Sequence, residues 1–250
     1  MNQLILDGHT HCGLTLRFEE LSNEWRRASV DGGVVFSPVE EIYDRYSPSF
    51  FDSAEYRESR AAVHEYLLAI SSAKRVFPYF FVWNDFVRVP EGFVGVKWHR
   101  HPGEPRYAYE TPACLRLIDE ICARRLPIVL EEEFSNTMNF LKTVSDRTVV
   151  IIPHMGALNG GYFGLKRAGI FESPSVWVDT ALAGHAEIED FAENNGVDRI
   201  IFGSDYPFGV QAHEKGKLRE IFSGDDLSPV FSGNLLRLLG CGSDGDTRTL

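Results

Sequence analysis

Eight short runs rich in β-branched and aromatic residues, most of them separated by segments with helical periodicity, predict an α/β fold for this chain of 250 residues. Strict alternation with eight strands points to a (β/α)8 TIM barrel, slightly irregular and single-domain, a fold that commonly takes about 250 residues. An open doubly wound sheet is the main alternative. No G-x-G-x-x-G or phosphate-loop motif follows any of the runs, which counts against its nucleotide-binding form.

Each element has its own signal. The first strand is read over 3–11, "QLILDGHTH", and is followed by "FEELSNEWRRASV", whose apolar residues recur three and four apart as on a helix packed against a sheet. The second strand is "GGVVFSP" (32–38), followed by the long helical pattern "SAEYRESRAAVHEYLLAISSAKR". "RVFPYFFVW" (75–83) and "GFVGVKWH" (92–99) are the third and fourth strands. Only residues 84–91 lie between them, too few for a crossover helix, so a short or irregular connection is expected there. "TPACLRLIDEICARR" reads as a helix leading to the fifth strand, "LPIVLEEE" (126–133), and "SNTMNFLKTVS" as the helix after it. The sixth and seventh strands are "TVVIIPHMG" (148–156) and "SVWVDTAL" (175–182); the helix "HAEIEDFAENNG" then leads to the eighth, "RIIFGSDYP" (199–207). "KGKLREIFSGDDLSPVFSGNLLRLLG" reads as two closing helices. Residues 1–240 are expected to form the barrel and 241–250 a flexible tail.

Composition narrows the function. The chain is 44% hydrophobic and 24% charged, as ordinary globular domains are. Its 36 acidic residues against 25 basic ones give a net charge of −11, and no Lys/Arg cluster is present to neutralise a phosphate backbone, so nucleic acid is not an expected partner. The first residues lack the basic and apolar regions of a signal peptide, and no run reaches the roughly 18 apolar residues of a membrane span. No membrane partner and a cytoplasmic location are expected. Cys12, Cys114, Cys122 and Cys241 are widely spaced and fit reduced thiols better than a disulfide framework.

In a barrel of this kind the chemistry sits at the carboxyl ends of the strands. There the first run carries His9 and His11, the second Ser37, the third Trp83, the fourth Lys97 and His99, the fifth Glu131, Glu132 and Glu133, the sixth His154, the seventh Asp179 and Thr180, and the eighth Asp205. Residues two apart on a strand share a face, so His9 and His11 can grip one ion. The same parity pairs Lys97 with His99 and Glu131 with Glu133, and turns Glu132 toward the helix layer or solvent. Three consecutive carboxylates after an apolar run need compensation, by pairing or by a metal. Imidazoles and a carboxylate around an open coordination position describe a catalytic zinc site. Each motif alone has a plainer reading, as a hydrogen-bonded loop histidine or a helix-capping aspartate. Ligand-type residues closing four separate strands at one end favour the metal.

The motifs "DGHTHCG", "GVKWHRHP", "LPIVLEEE", "VVIIPHMG", "IIFGSDYPF" and "VFSGNLLRLLG", spread over residues 5–239, together resemble the amidohydrolase superfamily. The likeness is specifically to its amidohydrolase-2 group of TIM-barrel metal-dependent hydrolases, which includes aminocarboxymuconate-semialdehyde decarboxylase and related decarboxylases and hydratases. The resemblance implies one divalent ion, zinc first, with manganese, iron or cobalt as alternatives. It implies His9, His11 and Asp205 as ligands, Asp205 also as the group that handles the proton of the attacking water, and His154 as a catalytic residue beside the metal or a further ligand. It also implies a small-molecule substrate and allows a homodimer.

"GVKWHRHP" is similar to the family's "GIKLHP" and places Lys97 and His99 at its Lys and His. In the family's "LPVLIH" a metal-binding His stands four residues after the Pro; here that position is Glu131, so the resemblance implies an anionic ligand in its place. Lys97 is either a carboxylated bridge between two metals or an unmodified partner of a carboxylate such as Glu131. Glu133 and Arg100 are expected as substrate or supporting groups, or as partners of each other. Hydrolysis of an amide, ester or lactone is the leading expectation. Non-oxidative decarboxylation or hydration of an aromatic or unsaturated acid is the alternative, and a non-catalytic metal-binding barrel a further one.

Overall fold

The computed structural model describes residues 3–73 and 75–241, so the tail expected at 241–250 falls, beyond Cys241, outside the described residues. The eight strands are β1 (Leu6–His11), β2 (Gly32–Phe36), β3 (Val76–Phe81), β4 (Gly95–His99), β5 (Ile128–Glu131), β6 (Val150–Ile152), β7 (Val176–Asp179) and β8 (Ile200–Ile201). They form one parallel sheet in sequence order. The sheet closes on itself: Gly8 N donates to Phe202 O (2.7 Å), Asp205 N to His9 O (2.8 Å) and His11 N to Tyr206 O (2.9 Å). The fold is a (β/α)8 barrel, and the open sheet is excluded by that seam.

Helices α1 (Phe18–Ala28), α2 (Ala54–Ile70), α3 (Pro112–Ala123), α4 (Phe134–Val144), α5 (Tyr162–Arg167), α6 (His185–Asn195), α7 (Gln211–Ile221) and α8 (Asn234–Leu238) connect or close the strands. No helix joins β3 to β4, as the short connection requires. α5 carries no legible period because it is only 6 residues long. No helix among the described residues is long and apolar enough to cross a membrane. Cys12, Cys114 and Cys122 are free, buried thiols.

Two apolar layers position the site. Outside the sheet, Trp25, Leu67, Ile118, Phe140, Phe191 and Leu218 bury the helix faces against the strands. Inside it, Leu6, Phe77, Tyr79, Val129, Ile151, Trp177 and Ile201 fill the barrel, and Leu235 and Leu236 of α8 pack on the same cluster. This filling makes the interior a core rather than a pore. The Tyr79 ring occupies the space a side chain at residue 95 would need: a Cβ on Gly95 would stand 2.4 Å from it. Above this layer the inward positions become polar. The pairing of β1 with β2 shifts between Asp7 and Thr10, a local irregularity of the bulge kind that re-aims the residues after it. It lies where His9 and His11 begin to face the cluster described below.

The carboxylate run resolves into three environments. β5 ends at Glu131, and Glu133 is already the N-cap position of α4. Glu132 faces the helix layer, fully buried, and accepts from Arg100 Nη1 (2.7 Å) and the Tyr109 hydroxyl (2.8 Å). Glu133 lies 3.2 Å from the same guanidinium. The expected shared face of Glu131 and Glu133 is therefore corrected: alternation stops with the strand, and the chain turns into a helix before the second residue arrives.

Candidate metal centre

β1 and β8 supply the first half of the site. His9 is fully buried, and its Nδ1 donates to Asp179 Oδ2 at the end of β7 (2.7 Å). That bond places the ring proton on Nδ1 and leaves the Nε2 lone pair facing Asp205 Oδ1 at 3.4 Å. Asp179 is itself fixed, since its Oδ1 accepts from the backbone N–H of His154 (2.9 Å) and Ala181 (3.1 Å). His11 Nδ1 lies 3.3 Å from the carbonyl of Ser37, while Nε2 approaches Asp205 Oδ1 to 3.2 Å. Asp205 sits at φ 58°, a left-handed conformation that Asp tolerates better than most residues. Burial alone would raise its carboxyl, yet the His11 bond and the charges of the neighbouring rings hold it well below the usual range.

β4, β5 and β6 supply the second half. The parallel register sets His99 beside Glu131. Lys97, fully buried, donates from Nζ to Glu131 Oε2 (2.9 Å) and lies 3.4 Å from His9 Nε2 and 4.7 Å from the centre of the Phe36 ring. Glu131 Oε2 also lies 3.3 Å from His99 Nδ1 and 3.5 Å from His154 Nε2, and its Oε1 bonds His101 Nε2. Burial opposes ionisation of Glu131, but the surrounding rings and the Lys97 ammonium prevail and hold its carboxyl well below the ordinary range. Burial pushes His9 down, and His99 down to about 4. For His154, burial is outweighed by Glu131, and the ring is pushed up to about 9. His154 (φ 55°) and Met155 (φ 51°) are consecutive left-handed non-glycine residues. Such strain costs about 1–2 kcal/mol per residue and persists where surrounding bonds fix it. Here Asp179 holds the His154 backbone, and the Ala181 carbonyl accepts from Nδ1 at 2.9 Å.

The expected ligands do not converge as one set of four. Donor atoms within 4.8 Å of one another fall into the groups His9–His11–Asp205, His9–Glu131–His154 and His99–His101–Glu131. The first fits a metal well. A tetrahedron of roughly 2.0–2.1 Å zinc bonds has edges of about 3.3 Å, and the two imidazole-to-carboxylate distances at Asp205 are 3.2 and 3.4 Å. Glu131 stands in the neighbouring groups, tied to Lys97 and the β4 and β6 histidines. His11, His99, His101, Glu131, His154 and Asp205 share a cavity of about 270 Å³, whose rim adds Leu158, Leu182 and Phe208. Arg100 and Glu133 lie outside it. Arg100 is buried against Glu132 and Glu133, so neither residue faces the cluster.

Two further residues belong to the arrangement. Asp179 is visible in the sequence as a strand-end carboxylate, but nothing there pairs it with His9, 170 positions away. His101 completes a second H-x-H in "KWHRHP", a signal present in the sequence just beyond the end of the fourth strand.

A barrel with a histidine and carboxylate cluster at the carboxyl ends of its strands is the class these features define. Solved structures with this fold include 5-carboxyvanillate decarboxylase from Sphingomonas paucimobilis, with a TM-score of 0.74 and 12% identity over 96% of this chain and 100% of that one. A probable 2-pyrone-4,6-dicarboxylic acid hydrolase from Acinetobacter baumannii matches with a TM-score of 0.66 and 14% identity over 94% and 99%. Amidohydrolase 2 from Bifidobacterium longum subsp. infantis matches with a TM-score of 0.68 and 15% identity over 96% and 100%. No protein-family model matches the chain, and no curated protein matches it in sequence. At these identities the likeness is one of fold.

Proposed function

We propose that the chain is a metal-dependent hydrolase of amidohydrolase type, acting on a carbonyl-type small molecule such as an amide, ester or lactone. The observation that carries the reading is the spacing of His9 Nε2 and His11 Nε2 around Asp205 Oδ1, 3.4 and 3.2 Å. These three residues would hold a divalent ion, zinc first for this donor set, with manganese, iron or cobalt as alternatives. Such an ion supplies a Lewis acid and brings the pKa of a water toward neutrality.

The chain's own groups would do the rest. Asp205, kept ionised by its neighbours, accepts the proton of the attacking water. Both His154 nitrogens face acceptors, the Ala181 carbonyl and Glu131, so the ring is set to carry a proton on Nε2 and to donate it toward the substrate oxygen or the leaving group. Lys97 neutralises Glu131 in the buried interior. Leu158, Leu182 and Phe208 on the rim offer an apolar wall for the body of the substrate.

A second reading is non-oxidative decarboxylation or hydration of an aromatic or unsaturated acid; its support is the presence of His154 and Arg45 on the cavity wall, each already facing one carboxylate, Glu131 and Glu104. Product analysis decides between the two. Incubation with esters, lactones, amides and aromatic acids gives hydrolysis products under the first reading and carbon dioxide or hydrated acid under the second. Under either, Asp205→Asn abolishes turnover with the circular dichroism spectrum unchanged; residual activity within tenfold of wild type would contradict the role of Asp205.

A further inference from the structure

The second H-x-H, His99 and His101, has no task in the mechanism above, yet its surroundings are those of a ligand site. His99 is 4% exposed, lines the cavity, and neither ring nitrogen has a hydrogen-bond partner. A buried polar group left unpaired in this way calls for an explanation, and an ion is one of the few available. Nδ1 stands 3.3 Å from Glu131 Oε2, between the two imidazole-to-carboxylate separations of 3.2 and 3.4 Å at Asp205. His101 Nε2 meets the other Glu131 oxygen, and the three donor atoms lie within 4.8 Å of one another.

A carboxylate also stands behind His99, set farther back than Asp179 is behind His9. His99 Nε2 faces Glu104 Oε2 at 3.7 Å, and Glu104 is fixed by the Tyr43 hydroxyl (2.7 Å), Arg45 Nε (2.8 Å) and the His101 backbone N–H (2.9 Å). At 3.7 Å Glu104 makes no hydrogen bond to His99, but an ion bound at Nδ1 would leave the ring proton on Nε2, facing that carboxylate. We infer that His99, His101 and Glu131 form a second divalent-cation site on the β4–β5 side of the cavity, distinct from the position of His9, His11 and Asp205. Its donors, two imidazoles and one carboxylate, select zinc, cobalt or iron over calcium or magnesium. Because both sites open to one cavity, an ion in the second is placed to take an anionic group of the substrate whose carbonyl meets the first.

Cobalt(II) titration of the metal-stripped full-length chain, followed by visible absorption and elemental analysis, tests this directly. Wild type is expected to bind two equivalents, His101→Asn one, and His11→Asn one, with different spectra for the two singly loaded variants. Glu104→Gln, which removes no ligand, should keep two equivalents but weaken one of them by tenfold or more; it serves in place of His101→Asn should that variant fold poorly. One equivalent in wild type that survives in His101→Asn and is lost in His11→Asn would overturn the second site and leave the proposed function standing. One equivalent lost only in His101→Asn would support the second site and overturn the first. Two equivalents that fall to one in Lys97→Gln while His101→Asn keeps both would assign the second ion to a modified Lys97 and overturn the inference.

Discussion

Asp179→Asn isolates the consequence of one proton. The substitution keeps an oxygen where Oδ1 accepts from the His154 and Ala181 backbone N–H groups, so the strained turn at the end of β6 retains its bonds. It replaces Oδ2, which accepts from His9 Nδ1 at 2.7 Å, with an amide that donates. His9 must then accept at Nδ1 and carry its proton on Nε2, the atom that faces Asp205. A protonated nitrogen cannot bind a metal. Loss of such a supporting carboxylate typically lowers metal affinity about 10- to 100-fold, or about 1.4–2.8 kcal/mol at 1.4 kcal/mol per tenfold. The assay is competition for zinc against a chromophoric chelator, with urea unfolding of the metal-free proteins as the control for structural damage. Affinity equal to wild type would refute the assignment of His9 Nε2 as a ligand.

Other outcomes follow from the same contacts. Glu131→Ala should lower metal content and leave the buried Lys97 without its partner, at a cost of about 3–5 kcal/mol in stability; adding Lys97→Met should recover much of the stability but none of the metal. Unchanged metal occupancy in Glu131→Ala would remove Glu131 from the ligand sets. His64, buried on α2, accepts the Phe81 N–H at 3.3 Å, and burial together with the Arg60 charge pushes its ring down to about 3. The folded state therefore keeps His64 neutral while the unfolded chain takes up a proton near pH 6.5, so this contribution is complete above about pH 6.5 and is lost at about 1.4 kcal/mol per unit as pH falls toward 3. His64→Gln keeps an acceptor but does not titrate, and should move the acid unfolding midpoint to lower pH; an unmoved midpoint would show that His64 is not the group that limits acid stability.

The residues legible in the sequence were those whose placement depends on their own strand. His9, His11, Lys97, His99 and Asp205 could be read because each closes an apolar run, and a barrel gathers strand ends at one face. What stayed hidden depends on neighbours distant in the chain. The pairing of Asp179 with His9 exists only because closure brings β7 and β8 against β1. The candidate donors divide into overlapping groups, with Lys97 reaching both Glu131 and His9, a matter of side-chain length that alternation does not encode. Glu133 turns away from the cluster because the strand ends two residues early and makes an inward position a helix cap, while its expected pairing with Arg100 is present. Glu132 and Arg100 form a buried pair on the outer face, so the charge of the second carboxylate is settled without any metal.

The central claim is an ion held by His9, His11 and Asp205. Crystals grown with zinc and measured on both sides of the zinc absorption edge test it most directly. The account predicts an anomalous peak about 2.0–2.2 Å from His9 Nε2, His11 Nε2 and Asp205 Oδ1. An anomalous map with no peak among these three atoms, from protein saturated with zinc, would contradict it.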